Sequence, residues 1–254
     1  MEQWQRYRDQ LPSDTLLLFL LVDFYEIFNE DAEEGAKLLG ITLTQRHGLP
    51  MAGIPYHAAE NYLNKLLAVG KKVAICDQVE TPQTGKLVKR ELTRILTPGT
   101  ILESGHLESD RNHFLLALEA NRRGLHAAWL DLSTGLFELV TQDYAGSDRL
   151  LTLFSSLDPR EILLPEGFWD TLEKEERASG FTSGFRHLTD AYPVTELEGY
   201  PFDQDSGFRT LTELFEVLNL EGFGLEKDHP GLGVAGAIVA YATDKLSSPP
   251  RNLT

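Results

Sequence analysis

The sequence has one cysteine, two methionines and no apolar run long enough to cross a bilayer. A single thiol, Cys76, excludes an internal disulfide and fits a reducing compartment; its apolar setting, VAIC, marks it as a core side chain rather than a nucleophile. The most apolar stretch, Leu16 to Val22, ends at Asp23 after seven residues, whereas a membrane helix needs about 20. That stretch reads as a buried strand. There is no low-complexity tract and no internal repeat, and the polar opening MEQWQRYRDQLPSD carries no signal-peptide pattern, so a cytoplasmic location is expected. P-loop, GxSxG, CxxC and HExxH motifs are all missing, which removes the common nucleotide, hydrolase and metalloprotease signatures.

What is present is the composition of a compact, mixed fold, with 42% apolar and 24% charged residues over 254 positions, enough for two modest domains. The net charge of -16 argues against nucleic acid as a whole-chain figure. Its distribution says otherwise. Residues 1–100 hold 11 Lys and Arg against 13 Asp and Glu, a net of -2, while residues 101–254 hold 12 against 26, a net of -14. Within the first part, residues 44–100 hold 8 against 4, a net of +4. A basic-leaning module is joined to a strongly acidic one.

The first module reads as alternating strands and helices. After a strand near residues 15–22, Asp23 and Glu26 have capping-box spacing, which predicts a helix from Phe24 with Phe28, Ala32, Ala36 and Leu39 on one face and Gly40 as its left-handed end. ITLTQRHGLPMAGIPYHA opens as a strand and becomes a Gly/Pro loop. Ala59, Tyr62, Leu63, Leu66 and Leu67 predict a second helix closed at Gly70, followed by two strands, KKVAICDQVE and VKRELTRILTPGT, joined by TPQTGKL. Past a polar break at residues 103–112, HFLLALEANRRGLHAAWLDLSTGLFELVT predicts three consecutive strands. A helix, a short strand (REILLP) and further helices follow, the last being GLGVAGAIVAYATDKL, whose small residues permit close packing before SSPP stops it.

Few residues advertise chemistry. His57 reads as a helix-entry residue rather than a metal ligand. Asp131, in WLDLSTG, reads as a solvated aspartate at a strand end; the competing reading is the first carboxylate of a two-metal ribonuclease H-like nuclease, for which no further converging acids can be picked out. Arg46, Lys86, Lys89, Arg90 and Arg94 are either ordinary solvated charges or a phosphate-facing set. On pattern alone, Phe24 is a core residue at a helix start.

DFYEIFNEDAEEGAKLLGITLTQR, PMAGIPYHAAENYLNKLLAVGKKVAICDQVE and GKLVKRELTRILTPGT closely resemble the mismatch-recognition domain of bacterial MutS DNA mismatch repair proteins, over residues 1–105. Residues 113–246, with LDLSTGLFEL and PREILLPEG, resemble the connector domain of the same family, and residues 247–254 read as the start of a further domain. The resemblance implies an α/β chain of two domains, a mixed-sheet mismatch-recognition domain and a ribonuclease H-like connector without nuclease activity. It implies that Phe24 stacks on a mispaired or unpaired base from the minor groove, that Glu26 hydrogen-bonds that base, that Arg46 contacts backbone phosphate, and that Pro50 and Met51 lie near the same groove. A helix starting at Phe24 would also aim the positive end of its dipole at the phosphates.

The partners implied are mismatched double-stranded DNA, a MutL-like protein through the connector, and a second copy of the full-length protein. This chain is expected to be no enzyme and to need no cofactor; ATP and Mg²⁺ belong to an ATPase domain expected beyond residue 254. Family members usually carry Arg, then Met or Leu, then Gly before DFYE, where this chain has Leu20, Leu21 and Val22. Glycine there suggests close backbone approach or a positive φ, neither of which suits a β-branched residue. The alternative function is therefore a MutS-derived protein-interaction module whose DNA probing is weakened or lost.

Overall fold

The computed structural model describes residues 2–80, 88–100, 113–179, 184–198, 200–246, 248–250 and 253. The chain divides into two compact units, Met1–Pro98 and Gly99–Thr254. Both are α/β, as the alternation of patterns predicts. The loop TPQTGKL and the polar break at 103–112 lie outside the described residues.

The first unit is built on a mixed six-stranded sheet in the order β3-β4-β2-β1-β5-β6. Its elements are α1 (Glu2–Arg8), β1 (Thr15–Leu21), β2 (Phe24–Phe28), α2 (Asn29–Leu39), β3 (Thr44–Arg46), β4 (Leu49–Pro55), α3 (Ala59–Ala68), β5 (Lys72–Gln78) and β6 (Arg90–Leu96). β1 runs parallel to β5, and every other pairing is antiparallel. Strand alternation sends Leu16, Leu18, Ile27, Ile54, Val73 and Ile75, all buried, to one face, against which α2 and α3 pack. On the opposite face Trp4 of α1 covers Leu17, Phe19, Phe28, Ala74 and Cys76. Cys76 is fully buried beside Asp77, which together push its thiol up to about 12, so it stays a protonated core group.

The helix predicted from Phe24 starts at Asn29. Residues 24–28 form a strand instead, and the Asp23/Glu26 capping box does not exist: the N-cap of α2 is Phe28, without a side-chain cap. The reason is non-local. FYEIF alternates, with Tyr25 and Ile27 facing the core and β-prone aromatic and branched side chains throughout, and it finds partners on both sides in β1 and β4. Asn29, at φ 54°, then redirects the chain into α2, and Gly40 ends that helix in the left-handed conformation, as its position predicts. With α2 starting at Asn29, no helix N-terminus stands at Phe24 to aim its dipole at phosphates.

The expected Gly/Pro loop is likewise a hairpin. His47 and Gly48, at φ 51° and 81°, make a two-residue turn of the type that matches strand twist, joining β3 to β4. Both prolines stay near the ends of β4, where a missing N–H costs least: Pro50 is its second residue and Pro55 its last.

The second unit carries a five-stranded sheet in the order β11-β10-β7-β8-β9. Its strands are β7 (Phe114–Asn121), β8 (Gly124–Asp131), β9 (Phe137–Gln142), β10 (Glu161–Pro165) and β11 (Val194–Leu197). The first three form the predicted antiparallel meander and the last two run parallel to β7, an arrangement that suits the ribonuclease H-like fold. Helices α4 (Ser147–Leu157), α5 (Phe168–Ser179), α6 (Phe185–Thr189), α7 (Gln204–Leu214) and α8 (Leu232–Leu246) complete it. Leu116, Leu118, Trp129 and Ile162 pack with Phe154, Phe168 and Phe185 on one face, and Leu115, Ala117, Ala128 and Leu130 pack under α7 and α8 on the other. A sheet covered twice explains why β8 is buried along its whole length.

α7 and α8 cross at glycine. A Cβ on Gly207 would lie 1.9 Å from the Leu232 carbonyl oxygen, and one on Gly236 would lie 2.4 Å from the Cα of Gly207. The neighbours are backbone and have no soft way to yield. Gly207→Ala is expected to cost about 1–3 kcal/mol and lower the unit's thermal midpoint by several degrees. Gly222→Ala, with open space around it, is expected to leave the midpoint within about a degree. Differential scanning calorimetry of the two variants checks the pair.

Two buried titratable groups share the α7/α8 face at directly opposed positions, Glu119 on β7 and His126 on β8. Asn121 donates to Glu119 Oε1 at 2.8 Å, and its Oδ1 lies 3.0 Å from His126 Nε2. Glu119 Oε2 and His126 Nδ1 have no hydrogen-bond partner. Burial pushes Glu119 up to about 7, while burial and then the charges of His229 and Arg123 bring His126 down to about 4. Because the folded-state value of Glu119 is raised, its contribution to stability is complete below about pH 4.5 and is lost as pH rises through about 7. The lowered His126 contributes above about pH 6.5 and loses that contribution as pH falls toward about 4. Between pH 5 and pH 8 the Glu119 loss is on the order of 2 kcal/mol. Over the same range His126 regains a contribution of similar size, so the two largely offset each other, and Glu119→Gln is expected to make the thermal midpoint rise from pH 5 to pH 8 relative to the wild type, measured by calorimetry at both ends.

Candidate nucleic-acid interface

The face of the first sheet that α1 leaves partly open carries a graded series of side chains along β2. Phe28 is buried and meets Trp4 edge-on, with ring centroids 5.7 Å apart. Two residues on, Glu26 is buried but polar; two further, Phe24 is 46% exposed. Core gives way to ion pair and then to open aromatic along one strand face.

Phe24 ends a two-residue hairpin in which Leu21 faces Phe24 across Val22 and Asp23. On its other side it pairs with Pro55, and its ring lies over Gly53, Cδ1 being 3.5 Å from where a Cβ would stand. Tyr56, just past β4, donates its N–H to the Asp23 carbonyl at 2.8 Å and leaves its ring 57% exposed. Tyr25 braces the tip from the other face, its hydroxyl donating to Asp77 at 2.7 Å and its ring 5.7 Å from Tyr56. Burial, then the Asp77 carboxylate, hold the Tyr25 hydroxyl well above the usual phenol range, so it remains a donor. Val22, the first turn residue, stands at φ 57° and is 81% exposed. Left-handed backbone at a residue with a Cβ costs about 1–2 kcal/mol, and β-branching worsens it.

Glu26 is held by Arg46, whose Nη1 donates to both carboxylate oxygens. The acid is the buried partner, at 11% side-chain exposure, and the base keeps 42% of its side chain in solvent. Arg46 is thus positioned by Glu26 instead of standing free. Met51 faces Phe28 across the β2–β4 ladder and packs at the edge of the Trp4 cluster. Pro50 alternates to the other face of β4. The fold therefore brings Phe24, Glu26, Arg46 and Met51 to one face and leaves Pro50 off it.

Of the remaining basic residues, Arg90 and Lys89 are already engaged within the unit. Arg90 is partly buried: its Nε donates to the Leu20 carbonyl at 2.6 Å, its Nη1 to Val88 at 3.1 Å, and its guanidinium lies 5.3 Å from the Phe19 ring centre. It braces the end of β1. Lys89 pairs with Glu91 at 2.5 Å, Arg94 is exposed on β6, and Lys86 lies outside the described residues. Tyr56 and the Tyr25–Asp77 bond are site features that sequence reasoning missed. Nothing in the local pattern of IPYH signals them, because both depend on which strand lies beside β2.

Asp131 is buried, contrary to the solvated strand end expected of it. Its Oδ1 accepts from the N–H and hydroxyl of Ser133 at 2.8 and 2.6 Å and from the N–H of Thr134 at 3.3 Å, closing the β8–β9 turn. A carboxylate spent on its own turn makes a poor nuclease ligand. Among the described residues no three His, Cys, Asp or Glu side chains converge to hold a metal. No helix there is long and apolar enough to cross a membrane.

Comparison with known proteins agrees with this division of the chain. Residues 1–105 match the family model for MutS domain I, and residues 113–254 match that for MutS domain II. The DNA mismatch repair protein MutS of Petrotoga mobilis is 41% identical over 218 residues, covering 81% of this chain and 26% of that protein. The MutS of Solibacter usitatus is 41% identical over 253 residues, covering 96% of this chain and 27% of its own length. That of Thermotoga neapolitana is 44% identical over 178 residues, or 70% and 21% respectively. The chain spans about a quarter of the length of the curated relatives it matches. It belongs to the MutS family of DNA mismatch repair proteins, and its two α/β units correspond to the first two domains of that family.

Proposed function

We propose that the first unit senses mispaired or unpaired bases in duplex DNA, with Phe24 as the wedge and Glu26 as the group that tests the displaced base. The observation that carries this reading is the exposure of Phe24 on a strand whose other aromatic residues, Tyr25 and Phe28, are buried. A ring placed against an unstacked base recovers about 1–3 kcal/mol of stacking, while wedging open an intact step costs about a few kcal/mol. A mismatch has already lost part of that stacking and pairing, so the balance turns favourable there first. Discrimination then rests on deformability rather than on base-edge readout.

Arg46 resolves the problem of a carboxylate beside a polyanion. In the free protein its guanidinium neutralises Glu26. Near DNA the exposed end of Arg46 moves to a phosphate, and Glu26 is released to hydrogen-bond a displaced base; a paired homoduplex offers Glu26 no such partner and leaves only repulsion. Met51 lies beside this groove contact, whereas Pro50, on the other face of β4, takes no direct part in it. In the complete protein, ATP and Mg²⁺ chemistry belongs to further domains, and no step in this chain runs through them. The acidic second unit suits a MutL-like protein partner better than DNA, and homodimerisation and a cytoplasmic location follow the family.

Two measurements test this. Phe24→Ala is expected to reduce the preference for a duplex with one extrahelical thymidine over its fully paired counterpart by about 5- to 100-fold, corresponding to the lost stacking. An unchanged ratio in fluorescence anisotropy overturns the wedge. A wild-type chain that shows no salt-sensitive binding to either duplex favours the protein-interaction reading instead. In a Glu26→Gln background, which avoids stranding a buried charge, Arg46→Ala is expected to lower the slope of log K against log salt by about one. A slope that does not move shows that Arg46 never reaches a phosphate.

A further inference from the structure

We infer that Val22 is a second apolar probe beside Phe24, one that widens the wedge and sharpens its preference for deformed DNA; this rests on the DNA-probing reading above. Neither its backbone nor its side chain is explained by the stability of the unit. Of the five non-glycine residues at positive φ among the described residues, Val22, Asn29, His47, Asp158 and Glu216, it alone is β-branched. Its side chain recovers nothing in exchange, since among the described residues of the first unit it is the most exposed large apolar side chain, at 81%. Glycine at the first position of a two-residue hairpin would relieve the conformation at no loss of packing.

Strain at an exposed tip marks a contact made outside the folded unit. Position identifies the contact. Val22 lies in the turn that Phe24 closes, so the tip presents two exposed apolar side chains, Val22 and Phe24, while Tyr56, tied to the same turn through Asp23, sets its ring beside Tyr25 on the other face. A single ring enters one base step. A branched side chain two residues away meets what flanks that step, the deoxyribose edges and the next base pair in the minor groove. An undistorted minor groove is only about 6 Å wide and does not admit both groups, whereas a kinked and widened one does. Val22 therefore penalises homoduplex more than heteroduplex and acts on specificity rather than on overall affinity.

The test uses the whole 254-residue chain at low salt, with a duplex carrying one extrahelical thymidine and its fully paired counterpart as probes. Val22→Gly removes both the strain and the branch, while Val22→Ala removes the branch and keeps a Cβ at positive φ. Val22→Gly is expected to raise the thermal midpoint by several degrees, and both variants are expected to lower the heteroduplex-to-homoduplex affinity ratio by about 3- to 10-fold, at or below the low end of what one methylene discriminates in a closed pocket, as befits an open groove edge. If both variants keep the wild-type ratio while Phe24→Ala abolishes it, the wedge stands and the role of Val22 is overturned. If only Val22→Gly loses the ratio, turn rigidity and not the side chain is responsible, which also overturns the inference. A wild-type chain without any preference removes the DNA reading and this inference together.

Discussion

The register between β1 and β2 is the constraint on which the first unit depends. Leu21 faces Phe24 across a turn of two residues, and this fixes every later side chain of β2 by alternation. Shifted by one residue, Tyr25 and Ile27 would leave the face that α2 and α3 cover, and Phe24, Glu26 and Phe28 would take their place there. Burial of Ile27 and Tyr25 therefore determines that Phe24 and Glu26 lie on the opposite face of the sheet from α2 and α3. The open face in turn exists because α1 is short. Its Trp4 covers Phe28 and the strands beside it, and coverage ends before Phe24.

Within that face the Glu26–Arg46 pair carries most of the electrostatic weight. Removing one partner of a buried pair typically costs about 3–5 kcal/mol because the other is stranded, so the two residues constrain each other even where the pair adds little net stability. The asymmetry of burial matters more than the pairing itself. Glu26 is fixed by the sheet, and Arg46, on the edge strand β3, retains access to solvent. On the proposed reading an incoming phosphate competes for the solvent-accessible partner and leaves the fixed one in place. Arg90 illustrates the opposite case, a cation with its hydrogen-bonding capacity turned toward backbone carbonyls and so withdrawn from recognition.

The second unit handles its buried acids in two ways. Glu161 is fully buried and satisfied, accepting from Tyr241 at 2.8 Å, Thr195 at 2.5 Å and the Gly99 N–H at 3.0 Å, so that one carboxylate ties β10 to β11, to α8 and to the start of the unit. Asp131 is consumed by its own turn. Both are structural acids. Glu119 and His126 are different, because each keeps one buried polar atom without a partner, and that is where the unit's stability becomes sensitive to pH.

Much of this was legible in the sequence wherever the signal is local. Gly40 ending α2, the meander from Phe114 to Gln142 and the small residues of α8 each follow from spacing alone. The capping-box spacing of Asp23 and Glu26 misleads for the same reason: a four-residue signal carries no information about the two strands that claim Glu26 from either side. Arg46 and Glu26 stand 20 residues apart, and their pairing depends on how the β3–β4 hairpin lies over the sheet. A wedge on the first turn of a helix would be held by its own helix alone, with free backbone groups nearby. On β2, Phe24 is the last residue of two ladders at once, tied to Leu21 and to Pro55, with Tyr56 and the Tyr25–Asp77 bond behind it. On the proposed reading a tip braced on both sides yields little when it meets a base step, so the deformation falls on the DNA. The cost of deforming that step is the quantity that differs between a mismatch and a paired duplex.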